Sequence, residues 1–511
     1  MSDSENRAAP KQVSPALSWP QRFLERHGRR PRVLHIGNIA NYAWTNAVLM
    51  RDAGVECVVL DPDFYHLASA PEWVEADVSG DLGDPFYPQW HKATVRGFSR
   101  PEWYLNGPTP FVLRELAGRE SHRGLQRGLY RALSHLYRRG LAAPQGKVSR
   151  FRQMLESRSG LLVSLKRLAR IVTVGRDRPQ TAGGQPASPV PAADPGSGDA
   201  TYLPTSVSAA LATEALGKFD IVIGYALGAR FAAGIDHPRF ASLELGTLRG
   251  LVFEDSVTGR IGAKLYRSSP AVFVTNVDCL EAAARLAIPE SRITALPHPF
   301  DINRATAARQ AAGVARKAVR PFFLCPARHH WRSGNTSWLK GNDILIKGAA
   351  IAAEKADFDL VFMEWGEEVA ESKRLIRDLG LENRSRWMVP QPRFSLWPHI
   401  LQATAVVDQF AASAFGGVAL ETMALGKRLI TRLDQTDIRP FFNAPPPVLN
   451  ATTPEDVARR LLDALDDPDD TAGHGQRMAE WMEREHGLEA QLGRQFDVFQ
   501  SLVDLHGPAA S

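Results

Sequence analysis

The sequence is poor in cysteine. Cys57, Cys279 and Cys325 are three in 511 residues, an odd number with no Cys-x-x-Cys pair. That excludes a disulfide scaffold, favours a reducing compartment and leaves a zinc site without its usual spacing. Long apolar runs are also missing. The most promising uncharged stretch, Val33 to Met50, is interrupted by His35, Asn38, Asn41 and Asn46, which hydrocarbon tolerates poorly. The opening MSDSENRAAPKQ lacks the apolar core of a secretory signal. A cytoplasmic location is the expectation. No G-x-S-x-G elbow supports serine hydrolysis. Gly37-Asn-Ile-Ala-Asn-Tyr42 lacks the G-x-G-x-x-G turn of a dinucleotide site. His329-His330 and His474 have no partners at metal-ligand spacing. No cofactor and no metal are therefore expected.

What is present is an ordinary globular composition, 44% hydrophobic and 23% charged, in a chain long enough for two or three domains. The net charge of +5 is unevenly spread. Between Phe111 and Arg178 stand 16 Lys and Arg against 4 Asp and Glu, so that segment carries +12 and the remainder is acidic.

Two regions alternate short apolar runs with helical patterns, the signature of parallel α/β sheets. In the first, Arg32–Gly37, Val55–Leu60, Phe219–Gly224 and Ala271–Thr275 read as strands. In the second, Phe322–Cys325, Asp357–Met363, Ala405–Asp408 and Arg428–Thr431 do. The fold class is α/β, with two Rossmann-like domains facing across a cleft. Residues 1–30 read as a tail, 31–300 as the first domain, 318–490 as the second and 490–511 as a C-terminal helix and tail. Within the first domain, 111–178 reads as a basic helical insertion. The Pro-, Gly-, Ala- and Ser-rich stretch 178–204 reads as a disordered loop.

The chemistry concentrates in the second region. Ala405 to Thr431 (AVVDQFAASAFGGVALETMALGKRLIT) is a strand, a small-residue loop, and a helix opened by Gly416-Gly417 and bearing Glu421. Glycines there let an anion approach the exposed N–H groups, with the helix dipole in its favour. Glu421, little more than a turn in, could accept from a vicinal diol such as ribose; the bland alternative is a tight connection with a solvated Glu. Cys325-Pro-Ala-Arg328 and Lys340-Gly-Asn-Asp343 set two cations at a strand end and a helix entrance, where they could grip a diphosphate. Seen alone, they are equally two ordinary surface cations.

Together these stretches resemble the retaining glycosyltransferases of family 4, which have the GT-B fold. That family has an Arg after the first strand of its C-terminal domain, a Lys-Gly-x-Asp entering the next helix, and an acidic pair eight positions apart around Gly-Phe-Gly. Here Phe415-Gly-Gly417 precedes Glu421-Thr-Met-Ala-Leu-Gly-Lys427, and Pro297-His-Pro-Phe-Asp301 occupies the interdomain position. The resemblance covers Ala271 to Asp467. It implies that Arg328 and Lys340 bind the donor diphosphate, that Glu421 binds ribose, and that Arg393 borders the base. Gly37 and Asn38 would face the phosphates from the N-terminal domain, while Phe415, Gly416 and Gly417 would line the donor.

Two positions depart from the pattern. Ser413 stands where the family has its first Glu, which helps bind the donor sugar, and Glu244-Leu-Gly-Thr247 stands where related sequences have Glu-His-Gly-Thr. Glu244, Thr247 and Ser413 remain candidate substrate ligands. The expected activity is metal-free, retaining sugar transfer from a nucleotide sugar to an acceptor hydroxyl, glycan or lipid-linked, in cell-surface polysaccharide or glycolipid synthesis. The alternative is a non-catalytic nucleotide-sugar-binding protein or partner subunit.

Other signals are weaker. Asp61-Pro-Asp63 is a DxD at a strand end, readable as a metal site or as a strand-to-turn cap. Leu125, Leu129, Leu133 and Leu136 share a helical face opposite Arg123, Arg127 and Arg131. Such a helix suits an anionic membrane surface, or packs its leucines on the sheet and solvates its arginines. Nucleic acid is not an expected partner, because Tyr130, Tyr137 and Phe151 form no stacking platform.

Overall fold

The computed structural model describes residues 17–85, 88–141, 201–312, 320–332, 339–434, 438–466 and 471–510. Residues 1–16 of the expected tail 1–30, the basic residues 142–178 and most of the 178–204 loop lie outside the described residues, while the rest of that tail holds the helix Trp19–His27 with Trp19 and Phe23 buried. The end of that loop is anchored: Arg230 Nε donates to the Tyr202 carbonyl at 2.6 Å, and Tyr202 Oη meets Ser268 Oγ at 2.9 Å.

The first domain is built on β1 (Arg32–Ile36), β2 (Glu56–Pro62), β5 (Tyr104–Gly107), β6 (Ile221–Tyr225), β7 (Phe240–Leu243), β8 (Ala271–Val274) and β9 (Ile293–Ala295). A small antiparallel ribbon, β3 (Asp77–Ser79) with β4 (Thr94–Arg96), is inserted between β2 and β5. The large sheet is parallel throughout, in the order β5-β2-β1-β6-β7-β8-β9, with Val33 opposite Cys57 on one side and Ile221 on the other. Its strands are near-continuous apolar runs because helices cover both faces. The second domain holds β10 (Phe322–Cys325), β11 (Asp359–Met363), β12 (Ser385–Met388), β13 (Ala405–Val407), β14 (Leu429–Thr431) and β15 (Leu449–Asn450). They pair in parallel as β12-β11-β10-β13-β14-β15. These are the two Rossmann-like domains expected.

In each sheet the chain order reverses beside the first strand. β1 lies between β2 and β6, and β10 between β11 and β13. A crevice opens beyond the carboxyl ends of the strands at such a switch point, and ligands of open α/β sheets bind there. Gly37-Asn38 follows β1 and Arg328 follows β10, so topology alone brings the two segments to that place.

One apolar cluster continues from Val272, Val274 and Leu286 through Phe300 to Leu324, Val406 and Met423, joining the domains. The connection is reinforced at its edge. Arg304, in the helix Ile302–Ala312, pairs with Glu75 of the first domain, whose other oxygen accepts from Trp44 Nε1 at 2.8 Å. The C-terminal helix Leu488–His506 returns to the first domain, burying Leu492, Phe496 and Phe499 against Trp19 and Ile221. Gln491 bonds both the N–H and the C=O of Phe300, at 2.7 and 2.8 Å, fastening that helix to the crossover.

The described part of the basic segment differs from both pictures of a simple insertion. The helix Thr109–Glu120 is an integral layer of the sheet, with Val112, Leu113 and Leu116 fully buried. In the following helix, Gly124–Leu141, neither the leucines nor the arginines form a buried side: Arg123, at its start, and Arg131 are 59% and 50% exposed. Arg127 and Arg131 both reach Glu102, at 2.7 and 2.9 Å, while Leu125 is 94% exposed and Leu129 54% exposed. Of the packing alternative, arginines out holds for Arg123 and Arg131, and leucines in does not hold for Leu125 and Leu129. Among the described residues no helix is long and apolar enough to cross a membrane.

Candidate active site

The cleft wall of the first domain begins at Gly37, whose φ of +89° is open to glycine, and where a Cβ would stand 3.4 Å from the Tyr225 carbonyl oxygen. Asn38 is fully buried and spends its side chain on the loop. Its Nδ2 donates to the Ser69 carbonyl at 2.6 Å and its Oδ1 accepts from the Trp44 N–H at 2.8 Å. Asn38 thus shapes the loop from within. The Asn38 N–H in turn donates to Asp61 at 3.1 Å. Burial raises the Asp61 carboxyl to about 7, although Tyr104 and Asn106 donate to it. Asp63 is turned to Thr109, whose N–H and hydroxyl it accepts. The two carboxylates of the DxD thus serve separate hydrogen-bond sets, the capping alternative of the sequence reading.

The segment after β7 is likewise reassigned. Glu244 is fully buried; it accepts from the Gly246 N–H, from the Leu248 N–H at 2.9 Å and from Tyr266 Oη at 3.1 Å. It anchors the turn and is not open to a ligand. Thr247, 9% exposed, opens the short turn Thr247–Arg249 and bonds Tyr266. That turn delivers Arg249. Arg249 is held by Asp278 through Nε and through Nη2 at 3.2 Å, and this pair lifts its already high pKa. Arg249 bears on Tyr42, His298 and Lys340, placing it at the cleft. Tyr42 stacks on His298 with ring centroids 5.0 Å apart, and burial pushes its hydroxyl to about 12.

On the facing wall, Arg328 follows β10, and burial lowers its proton affinity. Lys340 is half-buried and donates to Gln409 Oε1. Burial brings its pKa down to about 8, with Asp408 opposing and Arg328 and Arg249 adding to the depression. Lys340 therefore feels both guanidiniums, that of Arg249 from the first domain and that of Arg328 from its own. His66, across from Arg328, is held neutral with a pKa of about 4, by burial and then by that guanidinium. Asp408 closes the floor. It is 7% exposed, its Oδ2 has no hydrogen-bond partner, and that oxygen lies 3.6 Å from where a Gly416 Cβ would stand.

Gly416 caps the helix Gly417–Ala424, and a Cβ at Gly417 would meet nothing within 4 Å, leaving room at the helix N-terminus. Glu421, 8% exposed, accepts from Arg393 Nε at 3.0 Å and from Trp397 Nε1 at 3.1 Å. The fold thus brings Arg328, Lys340, Gly416, Gly417, Glu421 and Arg393 together, with Arg393 gripping Glu421. Ser413 Oγ accepts from the Asp434 N–H at 2.8 Å, which turns it to the neighbouring loop. Phe415 does not line the site: it packs inward against Phe442 and Trp481, with centroids 5.9 and 6.2 Å away. Arg249 reaches the cleft although it was not among the expected site residues. Gly246, at φ +109°, is the only local sign that the chain turns back toward the strand end.

No known family model matches the sequence, and no curated protein matches it. Solved structures resemble parts of the fold at low identity. HepE of Anabaena, in complex with UDP and glucose, is 17% identical over 57% of this chain and 80% of its own, with a TM-score of 0.44. A glycosyltransferase of Rickettsia africae is 12% identical over 93% and 98%, with a TM-score of 0.46. A TarM mutant of S. aureus, in complex with Fondaparinux, alpha-GlcNAc-glycerol and UDP, is 14% identical over 57% of this chain, with a TM-score of 0.44. The match spans 58% of the TarM chain.

Proposed function

We propose that the protein is a glycosyltransferase moving a sugar from a nucleoside-diphosphate sugar to an acceptor hydroxyl, with retention and without a metal. The observation that carries the reading is the convergence of Arg249, Arg328 and Lys340 beside the open N-terminus of the helix Gly417–Ala424. Arg328, Lys340 with Asp408 beside it, and Arg249 in its pair with Asp278, together with the helix N–H groups, suit an anionic group. In this reading they take the place of a divalent ion at the diphosphate.

The chemistry is electrostatic. As the bond between the sugar's anomeric carbon and the diphosphate oxygen breaks, negative charge grows on the leaving group, where the preorganised cations favour it. The acceptor oxygen bonds to the anomeric carbon from the same face, and its proton passes to the departing phosphate. Glu421 supports the nucleoside, its carboxylate oriented by Arg393 and Trp397. Because Arg249 belongs to the first domain and Arg328 and Lys340 to the second, donor binding rewards closure of the cleft and exclusion of water.

The direct test is turnover. Incubation with UDP-, GDP- and ADP-sugars, followed by NMR of the anomeric proton, should show release of one nucleoside diphosphate, with the anomeric configuration kept in the product. Tight nucleotide binding with no turnover of any donor would instead favour the alternative of a non-catalytic binding protein or partner subunit. That alternative draws on Ser413, whose hydroxyl is committed to Asp434.

We also propose that the exposed leucine side of the helix Gly124–Leu141 meets an anionic membrane surface, with Arg114 and Arg123 lining the same groove. Apolar insertion and attraction to acidic headgroups would act together there. An acceptor linked to lipid would then lie within reach.

A further inference from the structure

At the floor of the cleft one polar group is left over. β13 ends at Val407, and the Asp408 N–H still donates to the Ile430 carbonyl at 3.0 Å, so the backbone there is fixed against β14. Of the polar side chains between β13 and the helix Gly417–Ala424, Gln409 and Ser413 are committed to the protein. Gln409 accepts from Lys340 Nζ and donates to the Ala414 carbonyl at 2.6 Å. Ser413 accepts from the Asp434 N–H. Asp408 is different: its Oδ2 is buried without a hydrogen-bond partner. Lys340 acts on it through space but gives its proton to Gln409.

A buried acceptor without a donor is costly, and folded proteins keep few of them. This one is turned to the helix N-terminus. Oδ2 lies 3.6 Å from where a Gly416 Cβ would stand, so a side chain at 416 would cover it and glycine leaves it open. The backbone does not demand that glycine. Gly416 is extended, at φ −104° and ψ 170°, a conformation that any residue adopts.

The chemistry of the group names its ligand. An ionised carboxylate only accepts hydrogen bonds, and it repels phosphate. The diphosphate is therefore kept to the side of Arg328 and the helix N–H groups, and what meets Asp408 is an uncharged O–H donor. A nucleoside-diphosphate sugar carries hydroxyls on its ribose and on the sugar to be transferred. Glu421 takes the ribose in the reading above, which leaves the transferred sugar for Asp408.

We propose that Asp408 is a specificity-determining residue, accepting one hydroxyl of the transferred sugar and selecting donors whose sugar bears a free hydroxyl at that carbon. The proposal rests on the sugar-transfer reading. A deoxy sugar is rejected because nothing then relieves the buried acceptor. A sugar with a carboxylate or phosphate at that carbon is rejected by repulsion.

The experiment is titration calorimetry on the full chain with UDP, GDP and ADP and with UDP-glucose, UDP-galactose, UDP-N-acetylglucosamine, GDP-mannose and ADP-glucose. The 2-, 3-, 4- and 6-deoxy forms of the sugar that binds best follow. Native protein is compared with Asp408→Asn and Asp408→Ala. The quantity read is the affinity of a nucleotide sugar relative to its parent diphosphate, so that a change in the charge of Lys340, felt by both ligands, cancels. In the native protein one deoxy form should bind roughly 10- to 100-fold more weakly than its parent. The same deoxygenation should cost nothing further in Asp408→Ala, where the relative affinity falls by a similar factor. The melting temperature of both variants should equal or exceed the native one, since an unpartnered buried charge has gone. A relative affinity unchanged in both variants, or a deoxy penalty that persists in Asp408→Ala, overturns the proposal and leaves the nucleotide site standing. Equal weakening of diphosphate and nucleotide sugar also overturns it, giving Asp408 only a charge-balancing part beside Lys340. Binding of no nucleotide by the native protein removes the sugar-transfer reading, and the proposal with it.

Discussion

Arg393 Nε donates to Glu421 Oε1 at 3.0 Å while Trp397 holds Oε2 at 3.1 Å, so the carboxylate expected to read ribose is already oriented before any nucleotide arrives. Both partners of the ion pair are mostly buried, with side-chain exposures of 13% and 11%. Replacing Arg393 by Ala leaves Glu421 as an uncompensated buried charge, at a cost of about 3 kcal/mol. Glu421→Gln keeps the shape and loses the charge. The expected outcome is a lower melting temperature for Arg393→Ala, and a nearly native one with weaker nucleotide binding for Glu421→Gln. Unchanged nucleotide affinity in Glu421→Gln would remove the ribose role.

The three cations should contribute comparably. Arg249→Ala, Arg328→Ala or Lys340→Ala each loses a charge-assisted bond of about 2–3 kcal/mol, a fall of roughly 30- to 100-fold in kcat/KM. The Arg249 variant is the informative one, since it lies in the opposite domain from the other two. Titration calorimetry with the nucleoside diphosphate checks it: an undiminished affinity in Arg249→Ala would confine the anion site to the second domain.

Lys340 gives the site a pH dependence of definite sign. Its folded pKa of about 8 lies below the ordinary lysine value. The unliganded protein therefore carries a buried-charge penalty that is fully present below pH 8 and relieved as pH rises through the window up to the ordinary value. Nucleotide binding runs the other way, because the diphosphate favours the ammonium. The groups facing Lys340 are Arg249, Arg328, Asp408 and Gln409; neither arginine loses its proton in this range. Burial raises the Asp408 pKa, and ionisation of that carboxyl at lower pH acts on Lys340 in the opposite sense. Affinity should fall as pH rises above about 8, with proton uptake on binding. Lys340→Arg should move that fall to higher pH. A flat affinity from pH 7 to 10 in the native protein would contradict the assignment.

Gly417 offers a change that separates the site from the fold. A Cβ there meets no protein atom within 4 Å but stands at the helix N-terminus where the proposed anion binds. Gly417→Val should leave the melting temperature within about a degree and abolish the nucleotide-induced shift. A retained shift would put the ligand elsewhere.

The exposed leucines yield a separate expectation. Leu125→Ser with Leu129→Ser should lower stability little, since Leu125 is 94% and Leu129 54% exposed, but should reduce sedimentation with vesicles containing acidic lipid. Equal sedimentation with neutral vesicles, or none with either, would dismiss the membrane contact.

The apolar strands were legible because burial on both faces makes them continuous runs. Phe322–Cys325 and Leu429–Thr431 are examples, found within a residue of their limits. The strands missed lie where that signal fails. Ser385–Met388 is a half-exposed edge strand, and the buried Phe240–Leu243 is broken by Ser242. The positions of Arg328, Lys340 and Glu421 at the cleft were legible because each is local to a strand end or a helix start. Arg249 was not, since its position depends on a turn that Glu244 holds from inside the core. The rotation of the helix Gly124–Leu141 was not legible either. Leu125 and Leu129 stay exposed on a helix whose Arg127 and Arg131 meet Glu102, more than twenty residues earlier in the chain.

The central claim is that the cleft binds a nucleoside diphosphate through cations from both domains. The measurement that tests it most directly is the thermal shift of the native protein and of Arg249→Ala with UDP, GDP and ADP, with and without chelator. One diphosphate should stabilise the native protein by a few degrees at concentrations well above its Kd, unaffected by chelator, with the shift largely lost in Arg249→Ala. No shift with any diphosphate at millimolar concentration, or one that vanishes with chelator, would contradict the account.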